Sequence, residues 1–194
     1  MSVSARTLDR TVSTVAVDVV LILLFANLTA IAARIAFYLP FSPVPITGQT
    51  LLALLAGAAL GPRRGAASQV AYITEGLLGL PVFAGGTAGL AVLLGPTGGY
   101  LFGFVAAAAC VGFLGERRLL RTPVVAFMVM LLGSAVIYVF GAGWLSRVIP
   151  GGLPVAIVQG VLPFLPGDVL KSALAAGVVP SARWTVARWR GNVS

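Results

Sequence analysis

The stretch that decides the fold reads PFLPGDVLKSALAAG and covers residues 163–177. Its Asp168 and Lys171 are the only charged residues between Arg147 and Arg183, and their i,i+3 spacing puts them on one face of a helix. In a lipid bilayer each charge costs roughly 2.5 to 3.5 kcal/mol at the helix centre, so an intramembrane pair marks a candidate functional site. The alternative is a structural pair whose charges neutralise each other, with Asp168 capping the start of a helix.

The composition of the whole chain is that of an integral membrane protein. Of its 194 residues, 59% are hydrophobic and 9% are charged, whereas soluble domains carry about 25% charged residues. Continuous apolar runs rich in Ala, Leu and Gly predict helices, because membrane-spanning strands alternate apolar and polar residues. We therefore predict an all-α protein of the cytoplasmic membrane, with six transmembrane helices in a compact bundle and long ordered extracellular loops.

Six apolar segments alternate with basic or Pro- and Gly-rich connections. The expected spans cover residues 15–39, 51–60, 66–80, 99–114, 122–144 and 167–179. They form one membrane domain, residues 15–180, between a cytoplasmic N-terminal tail at 1–14 and a basic cytoplasmic C-terminal tail at 181–194. Trp184 and Trp189 of the second tail are expected at the membrane interface. Residues 145–166 are expected to form one of three long outer connections.

The basic residues predict the orientation of the bundle. With both termini in the cytoplasm, ten arginines fall in inside segments and only Arg147 falls in an outside connection, as the positive-inside rule requires. Non-helical backbone at membrane depth is tolerated only where it is buried or lines a cavity, so the long outer connections predict a pocket that opens outward. The ten inside residues are Arg6, Arg10, Arg63, Arg64, Arg117, Arg118, Arg121, Arg183, Arg188 and Arg190.

Several polar side chains fall toward the same outer end. Gln49 opens the second span, Tyr72 and Glu75 share a face of the third, and Arg34 lies near the end of the first. Each has a plainer interpretation as well: Gln49 as a helix cap, Tyr72 as core filling, and Arg34 as a side chain that reaches the membrane surface. The candidates for an apolar wall of the pocket are Phe83, Tyr100 and Trp144.

The chain lacks the residues of common catalytic machinery. It contains no His, no Walker A sequence, no HExxH or CxxC pattern, and one cysteine, Cys110, in an apolar run. We therefore predict no enzymatic activity, no cofactor and no metal. A small intramembrane enzyme that uses Glu75, Asp168 and Lys171 for acid-base chemistry stays open as an alternative, as does a scaffold subunit without a ligand.

Four ordered motifs resemble the BioY family, the biotin-specific substrate-capture (S) components of energy-coupling factor (ECF) transporters. They are PVPITGQT at 43–50, YITEGLLGLPVFAGG at 72–86, GPTGGYLFGF at 95–104 and PFLPGDVLKS at 163–172. The resemblance implies a six-helix bundle that takes up biotin from the outside with high affinity. It also implies a membrane T component and two ATP-binding subunits as partners, with ATP used only by those subunits. Some family members are proposed to act alone.

The resemblance further implies roles for individual residues. Biotin has a ureido ring with two N–H donors and one carbonyl acceptor, so Asp168 is expected to accept from an N–H group. Lys171 is expected either to pair with the carboxylate of biotin or to donate to the ureido oxygen. Related S components take other vitamins, so another vitamin is the alternative ligand. The implied ligand contacts are Asp168, Lys171, Gln49, Tyr72 and Glu75, and the implied contacts with the T component are Ala26 and Ala30. From the chemistry of the ligand, Phe83 is expected to bind it as well by covering its rings.

Overall fold

The computed structural model describes the backbone of residues 3–191 and the side chains of residues 15–179. The expected tails at 1–14 and 181–194, with Trp184 and Trp189, lie outside the residues whose side chains are described. Two 3-10 turns, Ala84–Gly86 and Leu119–Arg121, interrupt the connections. The remaining elements are α1 (Val3–Ala32), β1 (Ala36–Phe37), β2 (Ile46–Thr47), α2 (Gln49–Leu60), α3 (Pro62–Leu77), α4 (Leu90–Leu94), α5 (Gly98–Glu116), α6 (Pro123–Val148), α7 (Gly152–Gly160) and α8 (Leu165–Gly191).

Within the described residues, three helices are long and apolar enough to cross a bilayer: the segment Val15–Ala32 of α1, all of α5, and all of α6. The pair α7 and α8 is bent by 54° and adds a fourth span if the two are counted together. The apolar helix α2 has 12 residues and is therefore only ~18 Å long, shorter than the ~30 Å hydrocarbon core. The predicted helical membrane fold is confirmed, while the count of six spans stays a prediction.

Helix α5 lies at the centre of the bundle and packs against α2, α3 and α6. Helix α1 packs on α3 and α2, α8 packs on α6 and α2, and α7 packs on α6. Helices α2 and α5 approach each other closely, since a Cβ atom on Gly57 would lie 2.2 Å from the carbonyl oxygen of Ala108. Small residues at such contacts let membrane helices pack backbone against backbone, so these two helices hold a fixed separation.

The connection between the first two expected spans differs from the expectation. The sequence predicts a span that continues to residue 39, but α1 ends at Ala32. Strand β1 then pairs antiparallel with β2, with Ala36 opposite Thr47. Three prolines between the strands exclude a regular helix there, as the sequence predicts, because each lacks a backbone N–H donor. The resulting hairpin leads directly into α2.

The predicted connection at 145–166 is wrong, because most of it is helical. Helix α6 continues to Val148, and α7 occupies Gly152–Gly160. The error comes from Pro154 and Pro166, which suggest helix breaks when the sequence is inspected alone. Both lie in the first turn of a helix, where the missing N–H group costs no intrahelical hydrogen bond.

Candidate functional site

A cavity of about 240 Å³ lies where the β-hairpin and the 81–97 connection meet α2, α5, α6 and α8. Pockets for drug-sized ligands typically measure roughly 300 to 1,000 Å³. This cavity lies just below that range, so it suits a smaller ligand. The polar side chains that line it are Tyr38, Thr47, Gln49, Thr50, Thr87, Thr97, Tyr100, Tyr138, Asp168 and Lys171. The larger apolar side chains are Val44, Phe83, Val92, Leu101, Phe104, Ile137 and Phe164.

Asp168 and Lys171 form an ion pair at the start of α8. The Nζ atom of Lys171 lies 2.9 Å from Oδ1 of Asp168, and Asp168 is only 4% exposed. The same Nζ donates to the backbone oxygen of Thr47 at 2.8 Å and to Oγ1 of Thr50 at 2.9 Å. An ammonium group has three donors, so every N–H group of Lys171 has an acceptor within the protein. The lysine thereby ties α8 to the end of β2 and the first turn of α2.

The carboxylate of Asp168 receives two further hydrogen bonds. Oγ1 of Thr50 donates to Oδ1 at 3.3 Å, and the hydroxyl of Tyr138 on α6 donates to Oδ2. A carboxylate offers about four lone-pair sites, of which three are therefore occupied and one, on Oδ2, is free. Because Lys171 balances the charge, the cavity presents a spare acceptor without a net charge.

Gln49 lies in the first turn of α2 and lines the cavity, as predicted. Its Nε2 donates to the hydroxyl of Tyr72, which in turn donates to the backbone oxygen of Val82 at 3.1 Å. Tyr72 is fully buried behind the cavity and does not line it. Tyr72 therefore holds the amide of Gln49 and the connection at Val82, and a direct ligand contact by Tyr72 does not fit this geometry.

Phe83 forms part of the cavity wall, as predicted. Its ring meets the ring of Tyr72 edge-on, with centroids 5.6 Å apart and an interplanar angle of 89°. A Cβ atom on Gly76 of α3 would lie 2.1 Å from Cζ of Phe83, so the ring fits against α3 only because residue 76 is glycine. The position of Phe83 in the cavity wall therefore depends on the absence of a side chain at residue 76 of α3.

Two predicted polar residues lie away from the cavity. Glu75 is half-buried on α3 and does not line the cavity, which is at odds with a ligand contact. Among the described residues, its buried Oε2 atom has no hydrogen-bond partner. Arg34 is exposed, which agrees with the surface interpretation, and its Nη2 donates to the backbone oxygen of Pro81 at 2.6 Å. Arg34 thus anchors the connection that covers the cavity.

The pair Ala26 and Ala30 on α1 faces the interior of the chain. Ala26 is fully buried in the core, and Ala30 is half-buried and packs against the same core. For Ala26 this packing is at odds with the predicted contact with a T component, because a side chain enclosed by its own bundle offers a partner no surface, whereas Ala30 keeps part of its surface exposed. In this conformation the exposed side of α1 carries larger apolar residues, such as Val20 and Leu24.

Sequence reasoning missed the residues that hold the carboxylate of Asp168. Thr50 directly follows Gln49, but no charge or spacing in the sequence marks it as functional. Tyr138 lies within an apolar run. The spacing of Ser134 and Tyr138, four residues apart on the same face of α6, is the signal that could have identified Tyr138. In the described part of the chain, no three His, Cys, Asp or Glu side chains gather as a metal site.

The model of the BioY family matches residues 4–188 of the chain. The chain belongs to the BioY family. One BioY relative, from Pyrococcus horikoshii and named probable biotin transporter BioY, is 41% identical over 158 residues, which cover 81% of this chain and 91% of that protein. The biotin transporter BioY of Rhizobium etli is 39% identical over 82% of this chain and 89% of its own length.

A solved structure shares the BioY fold of this chain. It is a crystal structure of the S-component for biotin from an ECF-type ABC transporter, with a TM-score of 0.79 and 29% identity over 90% of this chain and 93% of that one. The resemblance based on four motifs is therefore confirmed. The BioY relatives are transporters rather than enzymes, and the chain is a multi-pass protein of the cell membrane.

Proposed function

We propose that this chain captures biotin from outside the cell as the S component of an ECF transporter. The observation that supports this function most directly is a buried carboxylate with one spare acceptor site, in a mostly apolar cavity of a BioY chain. A membrane T component and two ATP-binding subunits would complete the transporter and would supply the energy from ATP.

The cavity suits the chemistry of biotin. The free lone pair on Oδ2 of Asp168 can accept one ureido N–H group, and the amide of Gln49 can donate to or accept from the rest of the ring. Apolar side chains such as Phe83 and Phe164 can cover the thiophane ring and the valeryl chain, in the usual manner of an apolar pocket with few polar groups.

Lys171 has a positioning role in this proposal. Its three donors already bind Thr47, Thr50 and Asp168, so a bond to the ligand requires it to give up one of these acceptors. Among the described residues that line the cavity, Lys171 is also the only basic one. The carboxylate of biotin is therefore expected near the mouth of the cavity, where water can solvate it.

Calorimetric titration of the detergent-purified protein tests the function. We expect saturable, ATP-independent binding of biotin and no binding of thiamine or riboflavin. The substitution Asp168→Asn is expected to weaken biotin binding by about thirtyfold or more, because it leaves a buried lysine without its counter-charge. Asp18→Asn is the matched control, since Asp18 pairs with Arg64 at 2.9 Å and does not line the cavity.

Two outcomes would contradict the proposal. Unchanged biotin affinity in a folded Asp168→Asn protein would show that this carboxylate does not bind the ligand. Tighter binding of thiamine or riboflavin than of biotin would assign the pocket to another vitamin.

A further inference from the structure

A second concave surface lies on the outside of the bundle, between α5 and α6. It has a volume of about 430 Å³, open on one side, and shares no lining residue with the ligand cavity. Gly99 and Gly143 form its floor, and its sides are Phe102, Val139, Phe140 and Trp144. Val139 is 72% exposed, and both phenylalanines are 46% exposed. The surface is therefore an open apolar groove that faces the hydrocarbon of the bilayer.

The two glycines give the groove its shape. A Cβ atom on Gly143 would meet no atom within 4 Å, so the absence of a side chain leaves open space along α6. At Gly99 a Cβ atom would lie 2.3 Å from Cβ of Trp144, so the helices close tightly there. The indole N–H group of Trp144 donates to the backbone oxygen of Gly95 at 3.0 Å, which fixes the ring as an apolar wall.

Arg147 lies at one end of this groove and is exposed. Its Nη1 donates to the backbone oxygen of Gly143 at 2.9 Å, which uses one of the five N–H donors of a guanidinium group. The salt bridges among the described side chains are Asp18–Arg64 and Asp168–Lys171, so Arg147 has no carboxylate partner there. Its charge is therefore available to an anion from outside the chain.

The length of α6 places this charge at the depth of the lipid phosphates. The helix has 26 residues and is therefore ~39 Å long, longer than the ~30 Å hydrocarbon core. With α6 centred in the bilayer, its last turn, which carries Arg147, emerges among the headgroups. The apolar groove begins one helical turn before Arg147, at Gly143, and extends toward the middle of the membrane.

We propose that this groove binds one anionic phospholipid, with an acyl chain along Gly143 and the phosphate on Arg147. A single basic group above a narrow apolar channel matches the charge and shape of such a lipid, because basic residues at the membrane surface attract anionic headgroups. The bound lipid would fill the space between α5 and α6 on the face away from the biotin cavity.

Fluorescence quenching by brominated lipids tests the proposal. The chain has three tryptophans, so the double substitution Trp184→Phe and Trp189→Phe leaves Trp144 as the only fluorophore. The protein is placed in lipid nanodiscs that contain phosphatidylglycerol or phosphatidylcholine brominated on the acyl chains. We expect phosphatidylglycerol to reach half-maximal quenching at about a fivefold lower mole fraction than phosphatidylcholine. Biotin binding by the same protein shows that it is folded.

Three variants separate the charge from the groove. Arg147→Gln is expected to abolish the preference for phosphatidylglycerol, while Arg121→Gln, at the opposite end of α6, is expected to keep it. Gly143→Leu fills the groove without disturbing the helix, and we expect it to reduce quenching by both lipids. Because leucine favours a helix more than glycine does, loss of folding is not expected there.

Other outcomes would overturn the proposal. Equal quenching by the two lipids, or a preference that survives Arg147→Gln, would show that the lipid phosphate does not bind Arg147. Quenching that Gly143→Leu leaves unchanged would place the acyl chain elsewhere. Protection of Trp144 from both lipids that increases with protein density would show that a second copy of the chain covers the groove.

Discussion

Asp168 shows how an apolar bundle retains a buried carboxylate. The cost of removing a charge from water is offset only if a counter-charge and further hydrogen bonds are present. Here Lys171 supplies the charge, and Thr50 and Tyr138 supply hydrogen bonds. The four side chains therefore act as one neutral group, and the free acceptor on Oδ2 is the part of it that a ligand can use.

The role of Tyr138 can be tested by removing its hydroxyl. In Tyr138→Phe, Asp168 stays buried but loses the donor to Oδ2, so we expect the free energy of unfolding to fall by about 1 to 3 kcal/mol. The carboxylate also loses its fixed orientation, and we expect the dissociation constant for biotin to rise about tenfold. Thermal unfolding and calorimetric titration of the purified protein measure the two effects.

The readout that separates positioning from mere stabilisation is how much stability biotin adds to the folded protein. At the same saturating biotin concentration, Tyr138→Phe is expected to gain about 1.4 kcal/mol less stability than the unmodified protein, because a tenfold higher dissociation constant reduces ligand stabilisation by that amount. Biotin affinity equal to that of the unmodified protein would show that Tyr138 does not orient Asp168.

The sequence predicts the charged pair but not its neighbours. Asp168 and Lys171 are three residues apart, so helical geometry alone brings them together. Their other partners come from distant parts of the chain, since Tyr138 is 30 residues and Thr50 is 118 residues from Asp168. Only the packing of α2, α6 and α8 determines that these side chains meet, and no local pattern encodes it.

Among the structural elements, the 81–97 connection is the cover of the cavity. Tyr72 and Arg34 anchor this connection by hydrogen bonds, Tyr72 to α3 and Arg34 to the segment after α1. The ring of Phe83 also packs on Gly76 of α3. These anchors explain why a long connection with little regular structure can still form a defined wall. The cavity therefore depends on α3 even though no residue of α3 lines it.

Gly76→Ala tests this dependence. The added methyl group would overlap the ring of Phe83, which lines the cavity and would have to shift, so we expect a loss of about 1 to 3 kcal/mol in stability. We also expect biotin to bind about tenfold more weakly, as measured by calorimetric titration. Gly143→Ala is the matched control, because a Cβ atom there meets nothing within 4 Å. Equal affinity in the two variants would show that Phe83 does not shape the site.

The elements that sequence reasoning missed are short and contain no long run of apolar residues. The strands β1 and β2 have two residues each, and α7 has nine, of which one is proline. Isolated segments of this length have little structure of their own, and they form here because the bundle supplies the contacts. The long helices α1, α5 and α6 were predictable because membrane length and hydropathy alone define them.

At the scale of the whole molecule, the cavity and the arginine cluster of the α5–α6 connection lie at opposite ends. The hairpin and the 81–97 connection cover one end, while Arg117, Arg118 and Arg121 lie in the connection from α5 to α6 at the other. From this distribution the positive-inside rule predicts that the cavity end faces the outside of the cell. The short helices α2 and α3 agree with this arrangement. The non-helical backbone around the cavity fills the part of the membrane depth that these two helices do not span.

Labelling of single cysteines in intact cells tests this orientation. Cys110→Ala removes the native thiol, and a cysteine is then introduced either at Phe41, which is 58% exposed near the cavity, or at Arg121, which is exposed at the opposite end. We expect a membrane-impermeant maleimide to label Phe41→Cys in intact cells and Arg121→Cys only after the cells are opened. The reverse pattern would put the cavity on the cytoplasmic side, where it could not capture a vitamin from outside, and would therefore contradict uptake by this chain.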